Sequence, residues 1–188
     1  PAPGDGGPAN LAPLTPGGLA FDAPRQRAYV SDGGRLRRVD LQANTMTGAP
    51  PDMTLAVGPN HIVAWVNSQY AVYDKSGTVL VSPTNGNALF AGVGGVCETT
   101  NRGDPILQYD RNADRWILSQ FAFNVSGGAP AAPYFQCFAV STTNNPTGTY
   151  FRYTVQFSAT SPSGFNDYGK LGVWPDGSRL VYSIEPEI

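Results

Sequence analysis

The chain has 188 residues, of which 41% are hydrophobic and only 14% charged, and its formal net charge is −2. Its 22 glycines and 17 prolines argue against a helical bundle, and they lack the Gly-X-Y period of a collagen. The basic residues are scattered along the chain, which argues against a nucleic-acid partner. Because no run of about 18 apolar residues occurs, we expect no transmembrane segment.

Four segments of thirteen residues superpose without gaps, and each predicts a β-hairpin. Every segment begins with a short apolar strand, passes through a polar turn and returns as an apolar strand that ends in Ser or Asn. The four segments are Leu19–Ser31, Leu55–Asn67, Leu107–Ser119 and Leu171–Ser183. Since no helical period of 3.6 residues persists, the sequence predicts an all-β fold with little helix.

Further strands are predicted after the second and third hairpins. Tyr73-Asp74 opens a turn through Gly77 that leads into a strand at Val79–Val81. In the third unit, the runs Trp116–Phe123, Tyr134–Ser141 and Tyr150–Phe157 are strand-like, which makes this unit a four-stranded antiparallel sheet. The connection at 124–133 is rich in Gly and Pro and carries the glycosylation sequon Asn124-Val125-Ser126, so we expect an exposed loop there.

The spacing of the hairpins indicates a β-propeller. They start at residues 19, 55, 107 and 171, and these intervals bracket the roughly 40–50 residues of one blade. We therefore predict a single domain over 1–188 with blade-like units at about 17–50, 51–92, 103–158 and 168–188. About three and a half blades should not close a ring of 4–8. We thus expect either a longer protein or an open edge that pairs with another chain or copy. An open β-sandwich or solenoid is the structural alternative.

Two stretches of the sequence resemble known proteins. GDGGPA at 4–9, followed by LTPGGLAFD at 14–22, YVSD at 29–32 and RRVD at 37–40, resembles one blade of the bacterial NHL-repeat propellers, although the turn at Gly33-Gly34 is shortened. From Pro51 onward, AVGPNH at 56–61, GVCETT at 95–100, GDP at 103–105, DRW at 114–116 and GVWPDG at 172–177 are similar to secreted bacterial propeller-like proteins of unassigned role. The resemblance implies a propeller fold and export, and it brings no catalytic residues.

The two cysteines, Cys97 and Cys137, predict a disulfide. They have no CxxC spacing, and a chain with one histidine offers little for a Cys/His zinc site. Two reduced, buried thiols are the alternative. A disulfide implies an oxidising compartment, so we expect a secreted or cell-surface protein.

The turn of the third hairpin has the oxygen spacing of a calcium loop. Asp110, Asn112 and Asp114 alternate as calcium ligands do. The EF-hand pattern then fails, because Arg115 stands where Gly should follow and Phe121 where the closing Glu belongs. Ordinary turn formation is the alternative, and calcium is the one cofactor that the sequence suggests.

The segment after Cys97 is a candidate ligand loop. It carries Glu98, Arg102 and Asp104, and Arg102-Gly103-Asp104 spells an integrin-type tripeptide. Loops at the mouth of a propeller are a usual place for a ligand site. The alternative is a local ion pair that orders the loop.

Hydrolytic chemistry would need other side chains. His61 is the only histidine, so a Ser-His or Cys-His mechanism must use it, yet it falls in a turn beside Pro59 and Asn60. Glycoside cleavage uses two carboxyl groups. The sequence offers pairs from Glu98, Asp104, Asp167 and Asp176.

Aromatic side chains supply the remaining candidates for ligand contact. Tyr168 and Trp174 flank the fourth hairpin and could stack on a sugar, whereas Trp65 and Trp116 occupy strand positions that predict core packing. We therefore predict an extracellular, non-enzymatic binding or structural module with a protein partner, a second copy or a glycan. A carbohydrate-active lyase or hydrolase is the alternative, and an adhesin that acts through Arg102-Gly103-Asp104 is a third hypothesis.

Overall fold

The computed structural model describes residues 52–157, 165–167 and 169–174, and it describes the backbone of strands at 16–22, 27–32, 35–40 and 180–183. The GDGGPA stretch at 4–9 and the turn at Gly33-Gly34 lie outside these residues. No helix within the described part of the chain is long and apolar enough to cross a membrane.

The described strands form four antiparallel sheets, and in each sheet the strands lie side by side in chain order. The first sheet contains β1 (Pro16–Asp22), β2 (Arg27–Asp32) and β3 (Arg35–Asp40). The second contains β4 (Met53–Val57), β5 (His61–Val66), β6 (Gln69–Asp74) and β7 (Val79–Asn85). The third contains β8 (Ile106–Asp110), β9 (Arg115–Ser126), β10 (Ala129–Ser141) and β11 (Tyr150–Phe157). The fourth contains β12 (Lys170–Val173) and β13 (Leu180–Ser183).

All four predicted hairpins are antiparallel strand pairs. They form β1–β2, β4–β5, β8–β9 and β12–β13, and the last pair aligns Leu171 with Tyr182. The predicted four-stranded unit is confirmed as the sheet β8–β11. The all-β prediction is confirmed as well, because the helices in the described residues are a 3-10 helix at Gly86–Phe90 and α1 at Val96–Thr99.

The main core lies between the second and third sheets. Trp65 on β5 and Trp116 on β9 are fully buried in one apolar cluster with Val63, Val72 and Leu118. Their burial confirms the core role predicted for both tryptophans. Since alternate residues of a strand face opposite sides, β5 also buries Ile62 and Ala64 on its other face, and this explains its unbroken apolar sequence.

The third sheet is covered on both faces, but to different extents. The second sheet packs against one face through the main core. On the other face, Leu171 of β12 packs against Ile117 and Phe138. β4, β8 and β12 are the first strands of the second, third and fourth sheets. They are neighbours in space, since β8 contacts both β4 and β12.

The segment 124–133 is exposed as predicted, apart from the half-buried Ala131, but the prediction of a loop there was wrong. β9 continues to Ser126 and β10 starts at Ala129, so the two strands extend as a long hairpin. The turn is made by Gly127 and Gly128, whose φ angles are 61° and 83°. A two-residue hairpin turn of this kind favours residues with positive φ, and a Gly-Gly pair adopts it without steric cost.

Candidate functional site

The predicted disulfide is confirmed and fixes the candidate ligand loop to the third sheet. Cys97 lies on α1 and Cys137 on β10, with 5.8 Å between their Cα atoms, and both residues are completely buried. The bond therefore ties the connection between β7 and β8 to a central strand. The loop at 92–105 is therefore covalently fixed at Cys97, within the segment.

Glu98 orders this loop from within. Its carboxylate accepts hydrogen bonds from the backbone N–H groups of Gly92 (3.0 Å) and Gly94 (2.7 Å). These bonds, aided by the nearby charge of Arg152, lower the pKa of Glu98. The alternative prediction was a local ion pair that orders the loop. Glu98 does make local contacts that order it, but its main partners are backbone amides.

The Arg102-Gly103-Asp104 tripeptide is folded against the protein. Arg102 lies over the ring of Phe123, 5.1 Å from its centroid, and its Nε donates a 3.0 Å hydrogen bond to the carbonyl of Phe123. Gly103 is buried with φ 91°, and a Cβ built there would be 2.5 Å from Oδ1 of Asn67. The tripeptide is therefore not an extended, exposed tip.

Asp104 and Asp167 form a carboxyl pair. Burial, a hydrogen bond to the Asp167 carboxyl and the charges of Asp167 and Asp52 together raise the pKa of Asp104 to about 7. Two carboxyl groups can hydrogen-bond only if they share a proton. Because carboxyl groups whose pKa is strongly perturbed concentrate at functional sites, Asp104 and its partner are the leading candidate site in the described residues.

The carboxyl cluster is built at one end of the first strands. Asp52 directly precedes β4, Asp104 precedes β8 by two residues, and Asp167 precedes β12 by three. Asn67 at the end of β5 donates a 3.2 Å hydrogen bond to Asp52. Sequence reasoning named Asp104 and Asp167 but missed Asp52. A signal was available, since each of the three aspartates precedes the first strand of a repeated hairpin by one to three residues.

One aromatic cluster holds both members of the pair. Phe165 packs on Phe121, Phe123 and Tyr134 with ring centroids 5.5, 5.3 and 5.1 Å apart. Arg102 lies over the same Phe123 ring. Since Phe165 is two residues from Asp167 and Arg102 is two residues from Asp104, this cluster brings the two carboxyl groups together.

A buried polar chain, which the sequence did not predict, anchors the segment beside Asp167. Asn166 is 1% exposed, and its Nδ2 donates to Oε1 of Gln136 at 2.8 Å. Gln136 in turn donates to Oγ of Ser119 at 2.6 Å. No local motif reveals such a chain, because its members lie on two strands and a distant connection.

The predicted calcium residues form the turn of the third hairpin. Oδ1 of Asp110 accepts hydrogen bonds from the N–H groups of Asn112 (2.9 Å) and Ala113 (3.1 Å). Asp114 accepts from the hydroxyl of Tyr109 and, at 2.8 Å, from Nδ2 of Asn144. Within the described residues, no group of three or more His, Cys, Asp or Glu side chains is placed to hold a metal ion.

Trp174 lies at the opposite end of the first strands. It is 51% exposed and borders a groove of about 440 Å³. The groove is formed where β4, β8 and β12 end, and Val57, Asp110 and Val173 line it. β8, with five residues, spans roughly 16 Å between the carboxyl pair at its start and the groove at its end. Trp174 and the carboxyl pair therefore lie in separate sites. Tyr168 and Asp176 lie outside the described residues.

His61 is the first residue of β5 and lies across from Asp74. Its pKa is lowered by burial and by the charge of Lys75, which outweigh the charge of Asp74. Neutral imidazole is therefore favoured at this position at neutral pH.

Asp104→Asn is expected to stabilise the protein at pH 8 and to have little effect at pH 4. Because the folded-state pKa lies above the unfolded one, stability falls as the pH rises from about 4 to about 7, and the loss is complete above that range. We expect a gain of about 1.5 kcal/mol at pH 8, a value reduced for solvent screening of this half-buried group. Urea unfolding at both pH values measures it.

Asp74→Asn is the control with the opposite sign. Burial alone would raise the pKa of Asp74, but hydrogen bonds from Ser76 and Thr78 outweigh it and lower the pKa. Its ionised form therefore stabilises the fold above about pH 4, and the variant should lose stability at pH 8. Equal responses of the two variants at pH 8 would contradict the carboxyl-pair assignment.

Comparison with protein-family models, with curated proteins and with solved structures finds no match for this chain.

Proposed function

We propose that this chain is an extracellular, non-enzymatic binding or structural module built from β-propeller-type blades, with an open sheet edge that another chain or copy completes. The sheet order supports the blades, because each sheet is an up-and-down meander and the first strands of the second, third and fourth sheets are neighbours. A propeller arranges its meanders in this way around a common axis.

One observation carries the proposal: the third sheet keeps an uncovered apolar region at its outer strand. Phe151, Tyr153 and Val155 of β11 are 57%, 52% and 44% exposed. The four-stranded second sheet covers one face of the third sheet. On the other face lies the fourth sheet, in which two strands, β12 and β13, are described. Apolar surface left in this way favours association with further β-structure.

The covalent structure supports export. The Cys97–Cys137 bond is buried within the main core. Disulfides form and persist in oxidising compartments, so this bond favours a secreted or cell-surface protein. The resemblance to exported propeller-like proteins agrees with this location.

Hydrogen exchange at several protein concentrations tests the open edge. If a second copy completes the edge, the amides of β11 or β13 should exchange fast in dilute solution and slowly at micromolar concentration, in step with a rise in mass by light scattering. If a different protein completes the edge, this protein alone stays monomeric, and these amides exchange fast at every concentration. A monodisperse monomer whose edge amides are protected at every concentration would indicate a closed ring and would contradict the proposal.

The Asp104–Asp167 pair favours a carbohydrate-active enzyme as the second candidate function. Glycosidases hold their two carboxyl groups about 5 to 9.5 Å apart, so a directly hydrogen-bonded pair would have to separate on substrate binding. The distance between this pair and Trp174 is a second obstacle, because the aromatic platform and the acids would contact different parts of a polymer.

A panel of acidic and neutral glycans separates the two functions. The enzyme hypothesis expects new reducing ends or unsaturated products, lost in both Asp104→Asn and Asp167→Asn and retained in Asp74→Asn. Absence of product across the panel, together with saturable binding of a glycan or protein, supports the binding module.

A further inference from the structure

β11 is a long, regular edge strand. Its eight residues pair with β10 in unbroken register, from Tyr150 opposite Ser141 to Phe157 opposite Tyr134. Among the described strands, β10 is its one hydrogen-bonded neighbour. Its exposed apolar residues alternate along one face of the strand. A regular, apolar edge of this length is a template for another strand.

The outer strand of the neighbouring sheet shows how this protein protects an edge. β7 contains Pro83, which cannot donate a ladder hydrogen bond, and its pairing with β6 is shifted twice, on either side of Val72. Proline and irregular register both block further pairing. β11 has neither feature, and its one charged residue, Arg152, donates a 2.5 Å hydrogen bond to the carbonyl of Ala91 in its own chain.

We infer that β11 is a self-association edge that binds β11 of a second copy in antiparallel orientation. The inference rests on the proposed function, since it names the partner that completes an open edge. Directly opposed residues of an antiparallel pair lie on the same face, so a two-fold axis through Tyr153 places Tyr153 opposite Tyr153 of the second copy.

This register makes the strand complementary to itself. Phe151 faces Val155 of the second copy, and aromatic residues pair favourably with β-branched ones. On the other face, Arg152 faces Thr154 of the second copy and Tyr150 faces Gln156. Each exposed apolar side chain meets an apolar one, and like charges are not opposed. A shift that centres the axis on Arg152 would oppose two guanidinium groups, so the Tyr153 register is favoured over that one.

Cysteine cross-linking under mild oxidation tests this register. Tyr153→Cys should form a disulfide-linked dimer, because opposed Cβ atoms lie about 4.5–5.5 Å apart. Phe151→Cys alone should not, since its opposite residue is Val155, but a mixture of Phe151→Cys and Val155→Cys should. All three residues are exposed, so the variants should fold. Equal linking in every sample, or none in any, would overturn the register.

Self-association is measured independently by light scattering across a dilution series. Tyr153→Lys should weaken it at least tenfold, whereas the matched control Leu80→Lys on β7 should leave it unchanged. A wild-type monomer at all concentrations, or equal effects of the two lysines, would overturn the inference. If the wild type is such a monomer and its β11 amides exchange fast, the edge is open to a different chain and the proposed function stands. If those amides are protected, the proposed function is contradicted as well.

Discussion

Trp116→Ala is expected to lower the free energy of unfolding by about 4 kcal/mol, in the middle of the usual range for loss of a buried aromatic side chain. Trp116 is completely buried, and its Nε1 donates a 2.9 Å hydrogen bond to the carbonyl of Asn144. Gly58, which directly follows β4 of the second sheet, approaches the ring so closely that a Cβ built there would be 2.5 Å from it. The side chain therefore joins two sheets, and urea unfolding followed by circular dichroism measures its loss.

Trp174→Ala is the matched control, because it removes the same side chain from an exposed position. We expect a change within about 0.5 kcal/mol there. If Trp116→Ala fails to fold, Trp116→Phe keeps the test quantitative, with a smaller loss expected because most of the ring volume remains. Similar losses for Trp116→Ala and Trp174→Ala would contradict the packing between the second and third sheets.

The strands could be predicted from the sequence because their signals are local. An apolar run, a polar turn and a second apolar run recur four times, and every recurrence is an antiparallel pair. Trp65 and Trp116 could be assigned to the core for the same reason, since both stand inside such runs. The disulfide required no geometry, because two cysteines allow one intramolecular pairing.

The carboxyl cluster depends on non-local structure. Asp52, Asp104 and Asp167 meet because the first strands of three sheets lie side by side, and no short motif encodes that order. The chain of Ser119, Gln136 and Asn166 is hidden for the same reason. The hairpin at Gly127-Gly128 was missed for a different reason. Gly and Pro indicate a break in regular structure, but they do not distinguish a two-residue turn from a longer loop.

The calcium prediction shows how one pattern serves two structures. Alternating Asp and Asn residues place oxygens for a cation, and the same side chains accept backbone hydrogen bonds in a tight turn. In this hairpin, Asp110 caps two N–H groups and Asp114 binds Tyr109 and Asn144. A cation would have to compete with these contacts.

Removal of the disulfide in the double variant Cys97→Ala/Cys137→Ala is expected to lower the free energy of unfolding by about 4 kcal/mol. The two cysteines are 40 residues apart, and closing a loop of that length removes conformational entropy from the unfolded chain. Urea unfolding should show the loss, and chemical reduction of the wild type should reproduce most of it. A loss below about 1 kcal/mol in both experiments would contradict this role.

The bond should also control the order of the candidate ligand loop. α1 carries both Cys97 and Glu98, and the Glu98 carboxylate holds the amides of Gly92 and Gly94. Without the covalent attachment to β10, exchange at these two amides should accelerate in the folded double variant relative to the wild type. The acceleration should be larger there than at the amides of β10. Glu98→Gln, which keeps the disulfide, is the control: it should speed exchange at Gly92 and Gly94 while global stability changes little. Uniform acceleration across β10 and the loop in the double variant would show that the bond acts only on the unfolded chain and does not position Arg102 and Asp104.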